Sequence, residues 1–467
     1  MKHNVTDALG TQSIGRLMLR FAVPSMVALV VNSLYNMVDQ IFIGQGVGYL
    51  GNAATNVILP MMLLLVSLGE MIGNGCAAWM SLKLGRGERK EAACGVGNAI
   101  VLTMAVGVLL LVVNLLCLEP ICRLFGATDT VLPYAMGYGR IIALGYPCSA
   151  VCCTVSSLLR ADGRPHITML GLLMGCGTNF VLDPLFIFVF DWGVEGAAWA
   201  TLIGQALNAV YFLICLPRFR SLVFERACLV PRLKTVGSVL LLGLPSLATQ
   251  LSAVFVIYVV NHALVTYGAL SRYGADIPLA ALGVTMKVNQ LVNNLVVGLA
   301  VGMQPIVGYN YGCGRYERVK RTLRIALISA TAIMTAAWLL FQLAPDPIVA
   351  LFGSESALYH EFAVKCLQIY LLLCWSVGIS TVTGVFFQAL GKPAQSSFLI
   401  LARQLVFRIP GVLCLSRVFG IEGPLWAGPI SDGLSLILAM ALMLLFWKRI
   451  FVPVADKGAS RPAGESQ

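Results

Sequence analysis

The chain has 467 residues, of which 58% are hydrophobic and only 11% are charged. Soluble proteins carry about 25% charged residues, and so few charges could not cover the surface of a soluble protein of this size. The composition therefore excludes a soluble globular protein and a disordered chain. It also excludes a single-span receptor, because the apolar excess runs through nearly the whole sequence. The net charge of +11 is ordinary for a membrane protein, whose cytoplasmic loops are rich in Lys and Arg. We therefore expect no nucleic-acid partner.

Apolar stretches recur in chain order, each about 18 residues or longer, which is enough to cross a bilayer. The N-terminal segment before them lacks an apolar core with a cleavage site, so we expect no cleaved signal peptide. The sequence predicts an all-α polytopic membrane protein. Its twelve transmembrane helices are predicted near 16–43, 53–80, 92–118, 133–158, 167–190, 196–217, 236–265, 280–308, 322–343, 358–386, 396–418 and 424–447.

Basic residues are divided unevenly between the two ends of these helices. Of the 32 Lys and Arg, 24 lie in the N-terminal segment, the loops after even-numbered helices and the C-terminal tail. The loops at the other end hold only Arg123, Arg272 and Arg417. By the positive-inside rule, this asymmetry predicts a multi-pass protein of the cell (inner or plasma) membrane with both termini in the cytoplasm.

The two halves of the chain repeat each other. Gly193–Ala200 (GVEGAAWA) recurs 227 residues later as Gly420–Ala427 (GIEGPLWA), and Leu124–Gly126 recurs at the same offset as Leu351–Gly353. Each half holds six predicted helices, an even number, so both halves have the same orientation. We therefore predict two homologous six-helix lobes, related by a pseudo-two-fold axis along the membrane normal.

The repeat predicts the domain boundaries. They are an N-terminal lobe over 1–220, a cytoplasmic linker over 221–235, a C-terminal lobe over 236–450 and a cytoplasmic tail over 451–467. Most of the 14 cysteines lie in apolar stretches and none forms a C-x-x-C motif, so we interpret them as small packing residues rather than metal ligands.

Two segments resemble a known family. Pro24–Gly44, which contains NSLYNMVDQIFIG, and Gly302–Gly312, which reads GMQPIVGYNYG, are similar to the multidrug and toxic compound extrusion (MATE) family. Together with Gly46–Asn56, the first of these most resembles the MepA-type bacterial branch. The resemblance implies two lobes arranged in a V and export of cationic amphipathic compounds. It also implies that a cation gradient drives export, with no cofactor besides the coupling ion.

Polar residues at membrane depth are rare, and they indicate function by default. Asp183 and Thr201 lie nine residues before and after the predicted turn at Trp192, and Asn179 shares a helix face with Asp183. Asp39 is predicted at a similar depth in the first helix. These four residues also match, one by one, the polar cluster that the family uses for its coupling cation.

Two carboxylates in an apolar pocket are expected to share a proton or to hold Na⁺, for which carboxylate, amide and hydroxyl oxygens are suitable ligands. The sequence therefore predicts a site for H⁺ or Na⁺ at Asp39, Asn179, Asp183 and Thr201. The alternative is a buried hydrogen-bond network that only joins the first, fifth and sixth helices.

Further polar residues predict a substrate cavity between the lobes. Three share the face of Asp39, and three form a stripe on the eighth helix that could not face lipid. A lone glutamate in the second helix either attracts a cationic substrate or faces water. The predicted cavity residues are Asn32, Tyr35, Asn36, Glu70, Lys287, Gln290 and Asn294.

The C-terminal lobe does not repeat the acidic cluster. Its seventh and tenth helices offer His262, Lys365 and Gln368 instead of carboxylates, so the sequence gives no support for a cation site there. Arg408 and Asp432 lie at comparable distances from the turn between the last two helices, and we predict that they form an ion pair.

No catalytic motif is present: the sequence lacks H-E-x-x-H, G-x-S-x-G and a Walker A sequence. An enzyme and an ATP-driven pump are therefore excluded. The remaining prediction is a monomeric secondary transporter that exports small cationic amphipathic molecules across the lipid bilayer by alternating access. A lipid-linked oligosaccharide flippase, for which we expect a more basic cavity, is the alternative, and a membrane receptor or scaffold is the least favoured class.

Overall fold

The computed structural model describes residues 9–216, 226–274, 276–350 and 357–450. The predicted tail 451–467, part of the predicted linker and the repeated Leu351–Gly353 lie outside these residues. Within them the regular elements are all helical. The helices of the first half are α1 Ile14–Gly46, α2 Tyr49–Gly85, α3 Arg89–Leu124, α4 Leu132–Leu144, α5 Tyr146–Ala161, α6 Pro165–Pro184 and α7 Gly193–Cys215. Those of the second half are α8 Leu233–Gly268, α9 Asp276–Gly312, α10 Tyr316–Leu343, α11 Pro345–Ala350, α12 Ala357–Tyr370, α13 Cys374–Ala389, α14 Pro393–Leu401, α15 Ile409–Phe419 and α16 Gly423–Ile450.

Nine helical segments of the described chain are long and apolar enough to span a membrane, and the bent pairs α4–α5 and α12–α13 raise this number to 11. One of the nine, Pro393–Trp447, is a hairpin. It turns at Gly420, whose φ is +59°, and a Cβ on Gly411 would lie 3.5 Å from the Cβ of Ala427. Counted as two, this hairpin brings the described residues to twelve segments that are long and apolar enough to span a membrane. The all-α polytopic fold is confirmed.

The repeat is visible in matching helix bends. α4 and α5 meet at Gly145 with a bend of 50°, and α12 and α13 meet at a bend of 46° across Leu371–Leu373. These breaks are about one repeat length apart. Pro147 contributes to the first bend because it lacks the N–H that would continue the helical ladder. Hydropathy predicts one continuous span in both places, since a bend leaves the apolar content unchanged.

The lobes touch through closely packed helices at one end of the molecule. A Cβ on Gly243 of α8 would lie 1.9 Å from the carbonyl oxygen of Met71 in α2, and a Cβ on Gly302 of α9 would lie 2.6 Å from the Cα of Ala22 in α1. The two contacts are equivalent under the repeat. Both lie toward the ends of the helices that carry most Lys and Arg, which we call the basic side.

The N-terminal segment strengthens this contact. The guanidinium of Arg318 in α10 donates to the carbonyl oxygen of Gln12 at 2.6 Å, and Arg315 donates to that of Gly10 at 2.7 Å. Leu9 and Phe21 pack into the hydrophobic core of the C-terminal lobe. The start of α1 therefore belongs to both lobes, and it fastens them together on the basic side.

Toward the opposite side the lobes separate. Among the described residues, the hydrogen bond between them that lies farthest from the basic side joins the amide of Asn294 in α9 to the Ser33 hydroxyl in α1. Lys287 and Gln290, closer to the opposite end of α9, are exposed. The described contacts between the lobes thus concentrate on the basic side, and the exposed polar side chains of α9 beyond them mark what we call the polar gap.

Candidate cation site

Two aspartates meet inside the N-terminal lobe. Asp39 lies on α1 and is 8% exposed, and Asp183 lies at the end of α6 and is 0% exposed. Their carboxyl groups are within hydrogen-bonding reach of each other. Pro184 and the π-helical turn Leu185–Val189 follow directly. The wider turn alters the helical register, which sets the position of Asp183 relative to α7.

The hairpin of α6 and α7 brings the other two predicted residues to the same place. Asn179 Nδ2 donates to Thr201 Oγ1 at 3.1 Å, and both side chains are buried. The helices can approach closely because Gly204 has no side chain. A Cβ at this position would lie 2.8 Å from the carbonyl oxygen of Gly175. Thr201 thus faces Asn179, whereas the predicted depth placed it opposite Asp183. The π-helical turn contributes to this difference, since it shifts the register of the hairpin.

Buried oxygen atoms of this cluster have no hydrogen-bond donor among the described residues. They are Asp39 Oδ1, Asn179 Oδ1 and both carboxylate oxygens of Asp183. Buried acceptors without a donor are rare in proteins and costly. A proton on one carboxyl group, or a cation held between these oxygens, would satisfy them. Carboxylate, amide and hydroxyl oxygens form the donor set that a hard cation prefers.

Two tyrosines line the cluster. Tyr35 of α1 lies beside Thr201 and near Asp39, and Tyr138 of α4 is also close to the two aspartates. Tyr35 was predicted in the substrate cavity; in the structure it is partly exposed and lies against the acidic cluster. Gln40 donates to Asp39 Oδ2 at 3.3 Å. The site therefore draws residues from α1, α4, α6 and α7, so a shift of any of these helices would change it.

The remaining predicted cavity residues are divided between the gap and the lobe contact. Asn36 is exposed and donates to the carbonyl oxygen of Asn32 at 2.8 Å. Gln290 Nε2 donates to Asn294 Oδ1 at 3.3 Å. Because Asn294 also bonds α1, it belongs to the contact between the lobes. Asn32, Asn36, Lys287 and Gln290 lie at or beyond this contact, on the side away from the basic side, and their place in a substrate cavity stays a prediction.

Glu70 of α2 lies closer to the basic side than these polar residues. It is half-buried and its closest charged neighbour is Arg160 of α5. Arg160 Nη2 donates to Ser157 Oγ at 2.8 Å, and Ser157 Oγ donates to Asn74 Oδ1 at 2.9 Å. The lone glutamate of the sequence thus lies half-buried near a basic side chain, and its contact with substrate stays a prediction.

Asn74 continues this network into the other lobe. Its Nδ2 donates to Ser246 Oγ of α8 at 3.1 Å, and Gln304 of α9 donates to its backbone carbonyl oxygen at 3.3 Å. Gln388 of α13 donates to Ser246 at 3.4 Å. The network closes the gap on the basic side. This network was not predicted from the sequence. Its members could have been identified, because each is a polar residue in an otherwise apolar helix, where polar residues are rare.

The C-terminal lobe carries the opposite charge at its centre. Arg408 Nη2 donates to Asp432 Oδ1 at 3.0 Å, and its Nε donates to Ser431 Oγ at 3.0 Å. The predicted ion pair is therefore present. Arg403, which the sequence did not single out, lies near the same aspartate. A second basic residue beside one carboxylate makes this cluster unsuited to a cation.

The ion pair leads to a prediction on stability. Arg408→Gln leaves Asp432 buried without its cation, and loss of one partner from a buried pair costs about 3–5 kcal/mol in soluble proteins. We expect a fall of several degrees in the Tm of the detergent-purified protein. Arg417→Gln, which removes an exposed arginine of the following helix α15, should leave the Tm unchanged. Equal Tm values for the two variants would contradict the prediction.

Other residues outside the acidic cluster do not suggest a metal site. In the described ranges, no group of three His, Cys, Asp or Glu is placed to hold a metal ion. In the C-terminal lobe, Lys365 of α12 forms an ion pair with Glu422. His262 stacks against Tyr258 at a centroid distance of 6.3 Å.

Two repeated six-helix lobes, joined on one side and separated by a polar gap on the other, define a polytopic membrane transporter. The MatE family model matches residues 24–185 and 232–413, so the chain belongs to the MatE family. The resemblance seen in the sequence is confirmed.

Relatives and solved structures agree with this assignment. The multidrug export protein MepA of Staphylococcus haemolyticus is 26% identical over 451 residues, covering 95% of this chain and 96% of that protein. MepA of Staphylococcus aureus (strain MRSA252) is 24% identical over 440 residues, covering 94% and 95%. A crystal structure of MATE in complex with MaD3S matches with a TM-score of 0.88 and 22% identity, over 96% of this chain and 98% of that one. An outward-facing multidrug resistance MATE family transporter matches with a TM-score of 0.87 and 23% identity, over 96% and 98%. These relatives are transporters and not enzymes.

Proposed function

We propose that the protein is a secondary active exporter of cationic amphipathic compounds, which it exchanges for H⁺ or Na⁺ by alternating access. The relatives named multidrug export protein MepA support the drug class. One observation carries the cation exchange: the acceptor oxygens of Asp39, Asn179 and Asp183 are buried together without donors. We propose that the coupling cation, as a proton or as Na⁺, binds there.

The basic side is proposed to face the cytoplasm of the cell membrane, because Lys and Arg are retained there. In the arrangement described above, the gap between the lobes then opens outward. The aspartate pair takes a cation from outside, α1 and α6 shift against each other, and drug leaves the gap. The lobes rock to the inward-open arrangement, and the cation is released. Each ligand moves this equilibrium only by its difference in affinity for the two arrangements.

A monomer suffices for this cycle. One chain supplies both lobes, both walls of the gap and the whole acidic cluster. We therefore propose that the transporting unit is a single chain, and that its partners are the small-molecule substrate and the surrounding lipid.

A lipid-linked oligosaccharide flippase is the second candidate. The positive charges of Lys287, Arg403 and Arg408 favour it, since an anionic lipid carrier needs a basic cavity. The acidic pair in the N-terminal lobe argues against it, because Asp39 and Asp183 would repel the same carrier. The exporter explains both the acidic cluster and the named relatives, and we prefer it.

Reconstituted protein tests this proposal. We expect proteoliposomes with the basic side of the protein inward to expel ethidium when an inward H⁺ or Na⁺ gradient is imposed, and not when both gradients are absent. Imposing each gradient separately identifies the coupling ion. Empty liposomes give the leak rate. Ethidium movement at the leak rate under both gradients would contradict drug–cation exchange, and movement of a lipid-linked saccharide by the same vesicles would favour the flippase.

A further inference from the structure

Two cysteines from distant parts of the chain meet at the basic side of the N-terminal lobe. Cys94 lies in the second turn of α3, and Cys228 lies in the 3₁₀ turn Arg226–Leu229, between the two lobes. Their sulfur atoms are 3.1 Å apart. A disulfide bond requires about 2.05 Å, so a displacement of roughly 1 Å would join them. Both are thiols here, as expected where the surroundings are reducing.

The chain around Cys228 is held against α3 by more than the sulfur contact. A Cβ on Gly97 would lie 2.3 Å from the carbonyl oxygen of Cys228, so the linker approaches the helix closely only because residue 97 is glycine. In the orientation that satisfies its hydrogen bonds, the amide of buried Asn98 donates to the carbonyl oxygen of Val230 at 2.8 Å and accepts from the Arg232 N–H at 3.2 Å. The two sulfur atoms are thus held together by several backbone contacts.

We propose that Cys94 and Cys228 form a redox modification site, at which a peroxide oxidant creates a disulfide that fastens the interlobe linker to α3. In the first step, one thiolate attacks the peroxide, becomes a sulfenic acid and releases water. In the second, the other thiol attacks that sulfur, the S–S bond forms and a second water leaves. The two thiols lose two electrons and two protons, and one hydrogen peroxide is reduced to two waters.

The disulfide would shorten the connection between the lobes. Without it, once the contacts at Gly97 and Asn98 release, the chain between Cys215, the end of α7, and Leu233, the start of α8, can span up to about 60 Å when extended. With it, the five residues from Cys228 to Leu233 reach at most about 18 Å from α3. Because α8 is the first helix of the C-terminal lobe, this tether limits how far that lobe can rock away from the N-terminal lobe.

The first experiment reads the chemistry directly and does not depend on transport. Full-length protein in proteoliposomes is treated with hydrogen peroxide, its remaining thiols are alkylated, and peptides are analysed by mass spectrometry before and after reduction. We expect a linked peptide containing Cys94 and Cys228, which dithiothreitol releases. If other cysteines of the same sample are oxidised and this linked peptide is absent, the proposed site is wrong.

The second experiment measures the effect of the disulfide on ethidium export, and it rests on the proposed function. We expect peroxide to slow ethidium export by the wild type at least threefold, and dithiothreitol to restore it. Cys94→Ser and Cys228→Ala should resist this inhibition. Cys313→Ser is the matched control, because this basic-side sulfur contacts the carbonyl oxygen of Gly85 at 3.0 Å; that variant should be inhibited as the wild type is.

The two readouts separate the possible failures. If the untreated protein does not export ethidium, the proposed function fails, but the linked peptide still decides whether the modification site exists. If the disulfide forms completely and export continues at its former rate, the tether does not limit the lobes and the regulatory consequence is wrong. Inhibition that persists in Cys94→Ser would likewise overturn it.

Discussion

Asp183→Asn is expected to reduce gradient-driven drug export by about tenfold or more. Asparagine has nearly the same shape as aspartate, but it cannot take up a proton at neutral pH and brings no charge to a cation. Hydrogen bonds to charged groups contribute about 1.5–3 kcal/mol, which corresponds to a loss of roughly 10- to 100-fold in cation affinity. Asp39→Asn should have the same effect, because the two carboxyl groups act as a pair.

The measurement is ethidium export from proteoliposomes under the gradient that drives the wild type, at equal protein incorporation. Asp191→Asn is the matched control. It makes the same chemical change eight residues along the chain, where the side chain is exposed. The backbone of Asp191 has φ of +54°, a conformation that asparagine also tolerates, so this control should fold and export normally.

The alternative gives a different result. A buried hydrogen-bond network that only joins α1, α6 and α7 would accept asparagine at residue 183, because its amide can still bond within the cluster. If Asp183→Asn exports drug at the wild-type rate under either gradient, the cation-site proposal is wrong and the hydrogen-bond network is the remaining explanation. A lower Tm with unchanged export per folded molecule would point to the same conclusion.

Much of the fold follows from composition alone. The twelve spans arise from the scarcity of charged residues, and the constant offset between repeated segments predicts the two lobes. The predicted spans differ from the observed helices mainly at their ends; for example, α8 begins at Leu233, earlier than the predicted linker allows. The bend at Gly145 and the π-helical turn Leu185–Val189 were not predictable, since neither changes the hydropathy along the chain.

The acidic cluster was partly predictable for the same reason of scarcity. An aspartate at membrane depth stands out in an apolar helix, so Asp39 and Asp183 were identifiable without a structure. Tyr138 was not, because tyrosine is common in such helices and its position depends on the bend between α4 and α5. Thr201 was placed in the cluster, but its pairing with Asn179 was not predicted, because it depends on where α6 and α7 pack at Gly175 and Gly204.

The contact between the lobes was the least predictable feature. The sequence has 46 glycines, and nothing in their local surroundings distinguishes those that pack from those that do not. Gly237 and Gly243 lie within two turns of the same helix. A Cβ on Gly243 would meet the Met71 carbonyl oxygen, whereas a Cβ on Gly237 would meet nothing within 4 Å. Only the tertiary structure separates them.

Substitutions of the glycines that pack between the lobes are expected to have a large effect on closure of the basic side. Gly243→Ala and Gly302→Ala each place a methyl group against backbone atoms of the other lobe, at 1.9 Å from the Met71 oxygen and 2.6 Å from the Ala22 Cα. Backbone atoms cannot move aside by changing rotamer, so the helices must separate. Overpacking of this kind costs about 1–3 kcal/mol, which shifts the ratio of the two arrangements by roughly 5- to 150-fold. We expect the basic side to open and export to fall.

Hydrogen–deuterium exchange measures that opening in the reconstituted protein. Amides in the basic-side halves of α1, α2, α8 and α9 should exchange faster in both variants. Gly237→Ala in α8 and Gly283→Ala in α9 are the matched controls, because they gain the same helix propensity and a Cβ at either position has nothing within 4 Å. Equal exchange in Gly243→Ala and Gly237→Ala would mean that the lobes do not meet at Gly243 in the bilayer. Faster exchange together with slower export would instead link closure of the basic side to the transport cycle, since a transporter held in either arrangement completes fewer cycles.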